Sequence, residues 1–295
     1  MPVLTASRRT FELAISSAAK DISEGDLVRF GSDIFPNEPT YDLFLNEARF
    51  GLSRVLRVLS SFAPETVRIL EVGAGSCVLS AYLASKRLHV TAVEPLGPDF
   101  DFFTEPQRRV LEFCRSRAIP LNLVRTTGEQ LDLPGRFDVA FTINALEHMR
   151  DPLRTIGNMC DSLKPGGVAL VHCPNYTIPF EVHFNILLVS RSKPINEWLY
   201  RSKISRHPEL WNELNFVRYV DVRRHLAARR ASFTFQRSVM RDLVARLLND
   251  PIFAGRMPAV VRTIGRMLQY SGLLHALIFV PTRFQTPMEV WIKKS

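Results

Sequence analysis

Glu71, Gly73, Gly75 and Glu94 are the residues whose types and spacing point most directly to chemistry. Gly73 and Gly75 let the main chain turn sharply, with no Cβ between backbone and a ligand. One carboxylate lies two residues before the first glycine, and another lies about twenty residues beyond it. The later acid is placed to accept hydrogen bonds from the hydroxyls of a ribose. Together they describe a nucleotide-type cradle. A second set could move protons: His148, Tyr176 and His183. An imidazole with an ordinary pKa of about 6.5 takes up a proton near neutrality, and His148 comes first because it lies in the turn after the fourth predicted strand. The competing reading is that Glu147 and His148 cap the helix after them or pair with each other. Tyr176, Glu181 and His183 lie together on one stretch and could face an acceptor, or could be ordinary loop polarity. His172, inside an apolar run, reads as a hydrogen-bonded interior histidine.

Elements that would position these residues follow from hydrophobic pattern. Ile69, Leu70 and Val72 form a strand suited to burial on both faces. Val78-Leu79-Ser80-Ala81-Tyr82-Leu83-Ala84 reads as a helix whose amino end faces the turn. His89-Val90-Thr91-Ala92-Val93 is a second strand, ending at Glu94, and Leu121-Asn122-Leu123-Val124 a third. Residues 137–144 form a fourth, opening into Ala145-Leu146-Glu147-His148. A helix over 152–163, a turn at Lys164-Pro165-Gly166-Gly167 and a strand over 168–172 come next. His148 thus falls at the carboxyl edge of the sheet, where open α/β folds bind ligands. The dinucleotide fingerprint would place a third glycine where Val78 stands, which weakens a nicotinamide reading.

The pattern Glu71-Val72-Gly73-Ala74-Gly75, with an acid after the second strand, resembles the Rossmann-like S-adenosylmethionine-dependent methyltransferases. The "Leu-Glu-His" turn after the fourth strand and the "Leu-Lys-Pro-Gly-Gly" turn before the fifth resemble the ubiquinone-type, small-molecule members of that class. These motifs span about residues 67–175 in the family's order. The resemblance implies S-adenosylmethionine as cofactor. Glu71, Gly73, Ala74 and Gly75 would back its methionine part, and Glu94 would hold the ribose. Gly128 and Glu129 would lie near the adenine, and Asn144 by the amino-acid tail. Two positions depart from the family: Cys77 replaces a frequent glycine, and Thr127 a frequent acid. Some relatives hold a divalent ion through E-x-x-E-H and a later histidine. Here Asn144, Glu147, His148 and His183 occupy those places, and with an amide replacing a carboxylate no metal is expected.

The expected fold is α/β. A seven-stranded Rossmann-like sheet, its last strand antiparallel, carries helices on both faces. An N-terminal helical segment over 1–65 precedes a methyltransferase domain over 66–295. Helices are expected over 11–20 and 40–61, the latter with Leu43, Phe44, Phe50, Leu52, Val55, Leu56 and Leu59 as its apolar stripe. A helix is expected over 220–229, and the resemblance implies that strands over 232–236 and 288–292 complete the sheet. Two helical cap insertions are left, at about 176–218 and 239–284. In the second, Val260, Val261, Ile264, Met267 and Leu268 recur at near-helical spacing, as in a cap packed on the domain or a dimer surface.

A chain of 295 residues with 46% hydrophobic content can build such a core. Its four cysteines are scattered with no C-x-x-C pair, giving no zinc or disulfide framework and favouring a reducing, cytoplasmic setting. No stretch reaches the roughly 18 apolar residues of a membrane span. The formal net charge is +9, and residues 191–241 hold twelve basic residues against four acids. Trp198, Tyr200, Trp211, Phe216 and Tyr219 are interleaved there, mostly as core-facing aromatics of solvated helices. No RNA-binding module accompanies them. The chain is therefore read as a methyltransferase for a hydroxyl or amine of a small molecule, anionic or apolar, such as a sugar or lipid-linked precursor. Nucleic acid is not the expected partner, and peripheral membrane contact and oligomeric state stay open. The alternatives are an RNA methyltransferase using the basic segment and a non-catalytic cofactor-binding protein of the same fold.

Overall fold

The computed structural model describes residues 22–62, 66–95 and 101–295, so the helix expected over 11–20 lies outside the described residues. The apolar runs become β1 (Arg68–Val72), β2 (His89–Val93), β3 (Asn122–Val124), β4 (Phe137–Ile143) and β5 (Leu163–Cys173). Seven strands form one sheet in the order β3-β2-β1-β4-β5-β9-β8, where β8 is Ser232–Phe235 and β9 is Met288–Lys293. β1 runs parallel to both β2 and β4, and β9 antiparallel to both β5 and β8. The expected antiparallel last strand is therefore present. Strand order reverses between β1 and β4, the switch point at which such sheets bind ligands.

Contacts divide the chain into two compact units. One runs to Thr126 and includes Arg136–Phe141; the other comprises Thr127–Gly135 and Thr142–Ser295. In the first unit, α1 (Glu24–Ile34) and α2 (Asp42–Leu59) pack on α3 (Val78–Ser85), and α1 also touches α4 (Asp101–Ser116). Phe44, Phe50, Leu52 and Val55 of the anticipated stripe are buried. α1 and α4 were not anticipated. α1 carries few apolar residues and is fixed by long-range contacts: the Tyr82 hydroxyl donates to Ser23 O and accepts from Ser23 N–H, both at 3.0 Å. Pro106 lies inside α4 and obscures its helical pattern.

In the second unit, α5 (Pro152–Ser162) is capped by Asp151, whose side chain accepts from the Arg154 N–H. Glu147 and His148 therefore do not cap it. The turn expected at residues 164–167 is absorbed into β5. Gly166 N–H donates to Lys294 O at 3.0 Å, and Lys294 N–H donates to Gly167 O at 2.9 Å, so pairing with the chain's last residues extends the strand. The insertion at 176–218 is helical only in part. It opens with a hairpin, β6 (Phe180–Glu181) and β7 (Ile186–Leu187), followed by α6 (Lys193–Leu199), α7 (Arg201–Ile204) and α8 (Pro208–Glu213). Phe184, Ile186, Ile204, Trp211 and Leu214 form its core. α9 (Tyr219–Ala228) leads to β8.

The insertion at 239–284 contains α10 (Val239–Asn249), α11 (Pro251–Arg256), α12 (Ala259–Tyr270) and a 3-10 helix, Leu273–Phe279. The expectation that its apolar stripe packs on the domain is overturned, because Val260, Ile264 and Met267 face solvent. α12 instead turns Gly265 toward α10, where a Cβ would lie 3.1 Å from Leu247 Cδ2 and 3.5 Å from Val244 Cγ1.

Candidate active site

The first unit builds the cradle. At the end of β1, Gly73 takes φ 77° and Gly75 φ 49°. The turn is tied to the end of β2: Gly73 N–H and Ala74 N–H both donate to Val93 O, at 2.9 and 3.2 Å. Gly75 N–H donates to Glu94 Oε2 at 2.7 Å, and Cys77 N–H donates to Ala74 O at 2.8 Å. Glu71, buried beneath the turn, accepts the Ser80 hydroxyl and so anchors α3. Gln107 donates from Nε2 to Gly75 O at 2.7 Å and approaches Cys77 Sγ at 3.5 Å. Cys77 has φ 62°, which is why a glycine suits that position.

Two buried carboxyls therefore sit at a turn whose N–H groups at Gly73, Ala74, Gly75 and Cys77 already have acceptors. An anion site would need such donors aimed outward. Here the groups available to a ligand are carboxyls, whose ionised forms a cationic ligand would favour. Burial raises the Glu71 carboxyl to about 8, opposed by the Ser80 bond and reinforced by the charge of Glu94. Burial raises Glu94 to about 7, against the Gly75 bond and the charge of Arg125. Phe103 of α4 covers Gly75, where an added Cβ would lie 2.9 Å from its Cε1. Gly75→Ala is expected to lower stability by about 1–2 kcal/mol, the penalty of a left-handed backbone, read as a shifted denaturant midpoint. An unchanged midpoint would show that the turn relaxes at no cost.

Gly128, Glu129 and Asn144 belong to the second unit. Gly128 starts a 3-10 turn against α5, and a Cβ there would meet Thr155 Cγ2 at 2.6 Å, so close packing demands glycine. Asn158 Nδ2 donates to the carbonyls of Gly128 and Glu129, both at 2.9 Å, and Glu129 Oε1 accepts the Asp151 N–H. Each thus has a structural role. Asn144 has φ 51° and donates its N–H to His172 O at 2.9 Å.

The second unit also gathers the residues expected to handle protons. The β6–β7 hairpin holds Glu181 and His183, two residues apart, so that His183 Nδ1 lies 2.6 Å from Glu181 Oε1. Tyr176 O–H donates to the same oxygen at 3.2 Å, and Phe184 N–H donates to Glu181 Oε2 at 2.8 Å. The His148 ring stands edge-on to that of His183, centroids 5.2 Å apart. Asn215 fixes the turn that carries His148, donating from Nδ2 to Leu146 O and Met149 O, both at 2.7 Å.

Electrostatics separates the two histidines. Burial lowers His148 to about 4, helped by the charge of His183 and opposed by Glu181. The argument for His148 from an ordinary pKa therefore fails: it stays neutral but is a weak base. Burial also pulls His183 down, yet its bond to Glu181 and that carboxylate's charge prevail and hold it above the usual value. Burial raises Tyr176, reinforced by the charges of Glu181 and Glu147, so its proton stays on. His172 pairs inside the sheet with Glu289 at 3.1 Å, as expected of an interior histidine.

Glu181 is the residue whose role sequence reasoning undervalued. The signal was only their nearness in sequence: β6 ends at Glu181 and His183 lies in the hairpin turn that follows, which was not foreseen. Ligand atoms of Glu147, His148 and His183 also come within 4.8 Å of one another, and one carboxylate with two imidazoles is a donor set that zinc accepts. On the reading that His183 handles a proton, chelator-treated protein is expected to keep its full methyl-transfer rate. Loss of rate restored by zinc would reassign the cluster to a metal.

A family model described as a methyltransferase domain matches residues 44–221. The chain is 31% identical over 260 residues to an uncharacterized protein of Mycobacterium tuberculosis, covering 84% of this chain and 85% of that relative. It is 28% identical over 111 residues to a ubiquinone biosynthesis O-methyltransferase of Rickettsia typhi, covering 38% of this chain and 42% of the relative. Among solved structures, an S-adenosylmethionine dependent methyltransferase from Mesorhizobium loti aligns with a TM-score of 0.49 at 13% identity, over 81% of this chain and 97% of that one. The family model and the Rossmann-like sheet make this a methyltransferase-type α/β protein. The chain belongs to the methyltransferase-domain family.

Proposed function

We propose that this protein transfers the methyl group of S-adenosylmethionine to a hydroxyl of a small-molecule acceptor. The observation that carries the reading is the cradle at Gly73–Gly75, with two buried carboxyls and inward-tied N–H groups. It suits a ligand bearing a cationic sulfonium and ammonium, and it is poor for the pyrophosphate of a dinucleotide. Glu94 keeps Oε1 beyond the oxygen that Gly75 occupies, an acceptor for a ribose diol. The bound cofactor supplies an already activated methyl group. What the chain must add is orientation, which can contribute roughly 7–11 kcal/mol, and removal of the acceptor's proton.

His183 is the group suited to that removal. With Nδ1 held by Glu181, its Nε2 is the nitrogen left to accept a proton from a hydroxyl, and the resulting imidazolium is stabilised by the carboxylate. His148 stays neutral beside it, and Tyr176 stays protonated as a hydrogen-bond donor to Glu181. A base of this kind matters for a hydroxyl and much less for an amine already neutral in the site. The basic stretch at 191–241 gives little support to an RNA acceptor. Arg218, Arg229 and Arg241 pair with Asp221, Asp161 and Asp242, and Lys193 donates to the carbonyls of Trp211 and Asn212.

The test has two parts. Calorimetric titration is expected to show binding of S-adenosylmethionine and none of NAD. Incubation with methyl-labelled cofactor and a cell extract is expected to label a small molecule. A cradle that stays empty at large cofactor excess would overturn the proposal, and label found only in RNA would replace the acceptor class.

A further inference from the structure

From Pro251 to Met288 the chain has no Asp or Glu at all, while Arg256, Arg262, Arg266 and Arg283 supply positive charge. The same stretch carries a concentration of exposed large apolar side chains. On α12, Val260, Ile264 and Met267 are 62%, 52% and 64% exposed, and at its end Tyr270 is 88% exposed. On the following 3-10 helix, Leu273 and Phe279 are 55% and 76% exposed. At 100° per residue, Val260, Ile264 and Met267 fall within a sector of about 60°, and the exposed Arg266 lies about 100° outside it on the flank of the helix. The helix's orientation is set from behind, where Gly265 meets Leu247 and Val244 of α10. The apolar sector is thus the outward face of a well-seated helix, which a monomer in water has no reason to display.

Charge decides what covers it. Two copies meeting through this acid-free, arginine-bearing segment would bring like charge together, which disfavours a symmetric dimer. An anionic bilayer surface satisfies both properties at once. Aliphatic side chains enter the acyl boundary, arginines meet lipid phosphates, and Tyr270 and Phe279 suit the interface. No helix among the described residues is long and apolar enough to cross a membrane, so the element would lie on the surface. We propose that α12 and the 3-10 helix after it dock this protein, as a peripheral protein, on membranes bearing anionic lipid. The neighbouring α11 is in touch with the β6–β7 hairpin: Asn185 Nδ2 lies 3.5 Å from Arg256 O, and the Arg256 charge is felt at His183. Docking therefore brings the proton-handling hairpin close to the bilayer. The inference does not depend on the methyl-transfer reading, because binding to lipid is measured without cofactor or acceptor.

The test is cosedimentation of the full chain with vesicles of phosphatidylcholine, with and without phosphatidylglycerol, across a salt series. Binding only to the anionic vesicles, weakening as salt rises, is expected. The double variant Ile264→Asp, Met267→Asp is expected to abolish binding, and Arg266→Gln to weaken it about fivefold. All three positions are exposed, so both variants should keep the parent's thermal midpoint. Absence of binding to anionic vesicles, or equal binding to neutral ones, would overturn the proposal. So would a parent dimer in analytical ultracentrifugation that the double variant makes monomeric, since the face would then be a self-interface.

Discussion

Replacing His183 by alanine is expected to slow single-turnover methyl transfer by about 10²–10⁴-fold at saturating cofactor, the loss usual for a general base, with cofactor affinity unchanged. The separation follows from where the residues reside: His183 is held by the β6–β7 hairpin, and the cradle is built by β1, β2 and α3. The pH profile supplies a second reading. Because His183 must be neutral to accept a proton, the rate should rise as pH climbs through its pKa, which Glu181 holds above the ordinary 6.5. Glu181→Gln removes the carboxylate that stabilises the imidazolium, so the rising limb should move to lower pH while the plateau falls. A merely structural Glu181 would lower the plateau and leave the limb in place. His148→Ala, by contrast, is expected to change the rate much less, since burial already holds His148 near 4. If His148→Ala abolished transfer and His183→Ala left it intact, the assignment would be reversed.

Glu94→Gln is expected to weaken S-adenosylmethionine binding by about 1.5–3 kcal/mol, the range for a lost charge-assisted hydrogen bond. That corresponds to about 10- to 150-fold in Kd. Glutamine is the informative substitution because its carbonyl can still accept the Gly75 N–H and preserve the turn. Glu94→Ala would also orphan that N–H and confuse the two effects. The parent's affinity should depend on pH in a defined direction. Glu94 titrates near 7 in the free protein because it is buried, and the ribose grip requires the carboxylate. Binding below pH 7 must expel a proton, so affinity should fall about tenfold per unit as pH drops below 7 and level off above it. The same shift means that the free protein loses stability through this group as pH rises from about 4.5 toward 7, since the fold favours the protonated form. Calorimetry in buffers of different ionisation heat would count the released proton. A flat affinity profile in the parent, or parent-like affinity in Glu94→Gln, would remove the ribose assignment.

The part of this protein closest to β1 and β2 was readable in advance because its determinants are local. A buried apolar run can only be a covered strand, positive φ at Gly73 and Gly75 is a backbone demand written as glycine, and an acid at a strand's end falls beside the neighbouring turn. What local pattern could not supply was any arrangement made by long-range pairing. The 164–167 turn became strand because Lys294 pairs with it, and α1 formed on the strength of Tyr82 and the core beneath.

The choice between His148 and His183 belongs to the same category. Both are histidines on loops with identical intrinsic chemistry, and sequence ranked them by proximity to a strand end. Only tertiary packing put one against His183 in a dry environment and the other against Glu181, pushing their proton affinities apart in opposite directions. The residue types in the chain thus determined a glycine turn flanked by two acids and a group of side chains with the chemistry to carry protons. Burial and neighbouring charge, which are properties of the folded arrangement, decided which carrier has the basicity to work and which helix face is left uncovered.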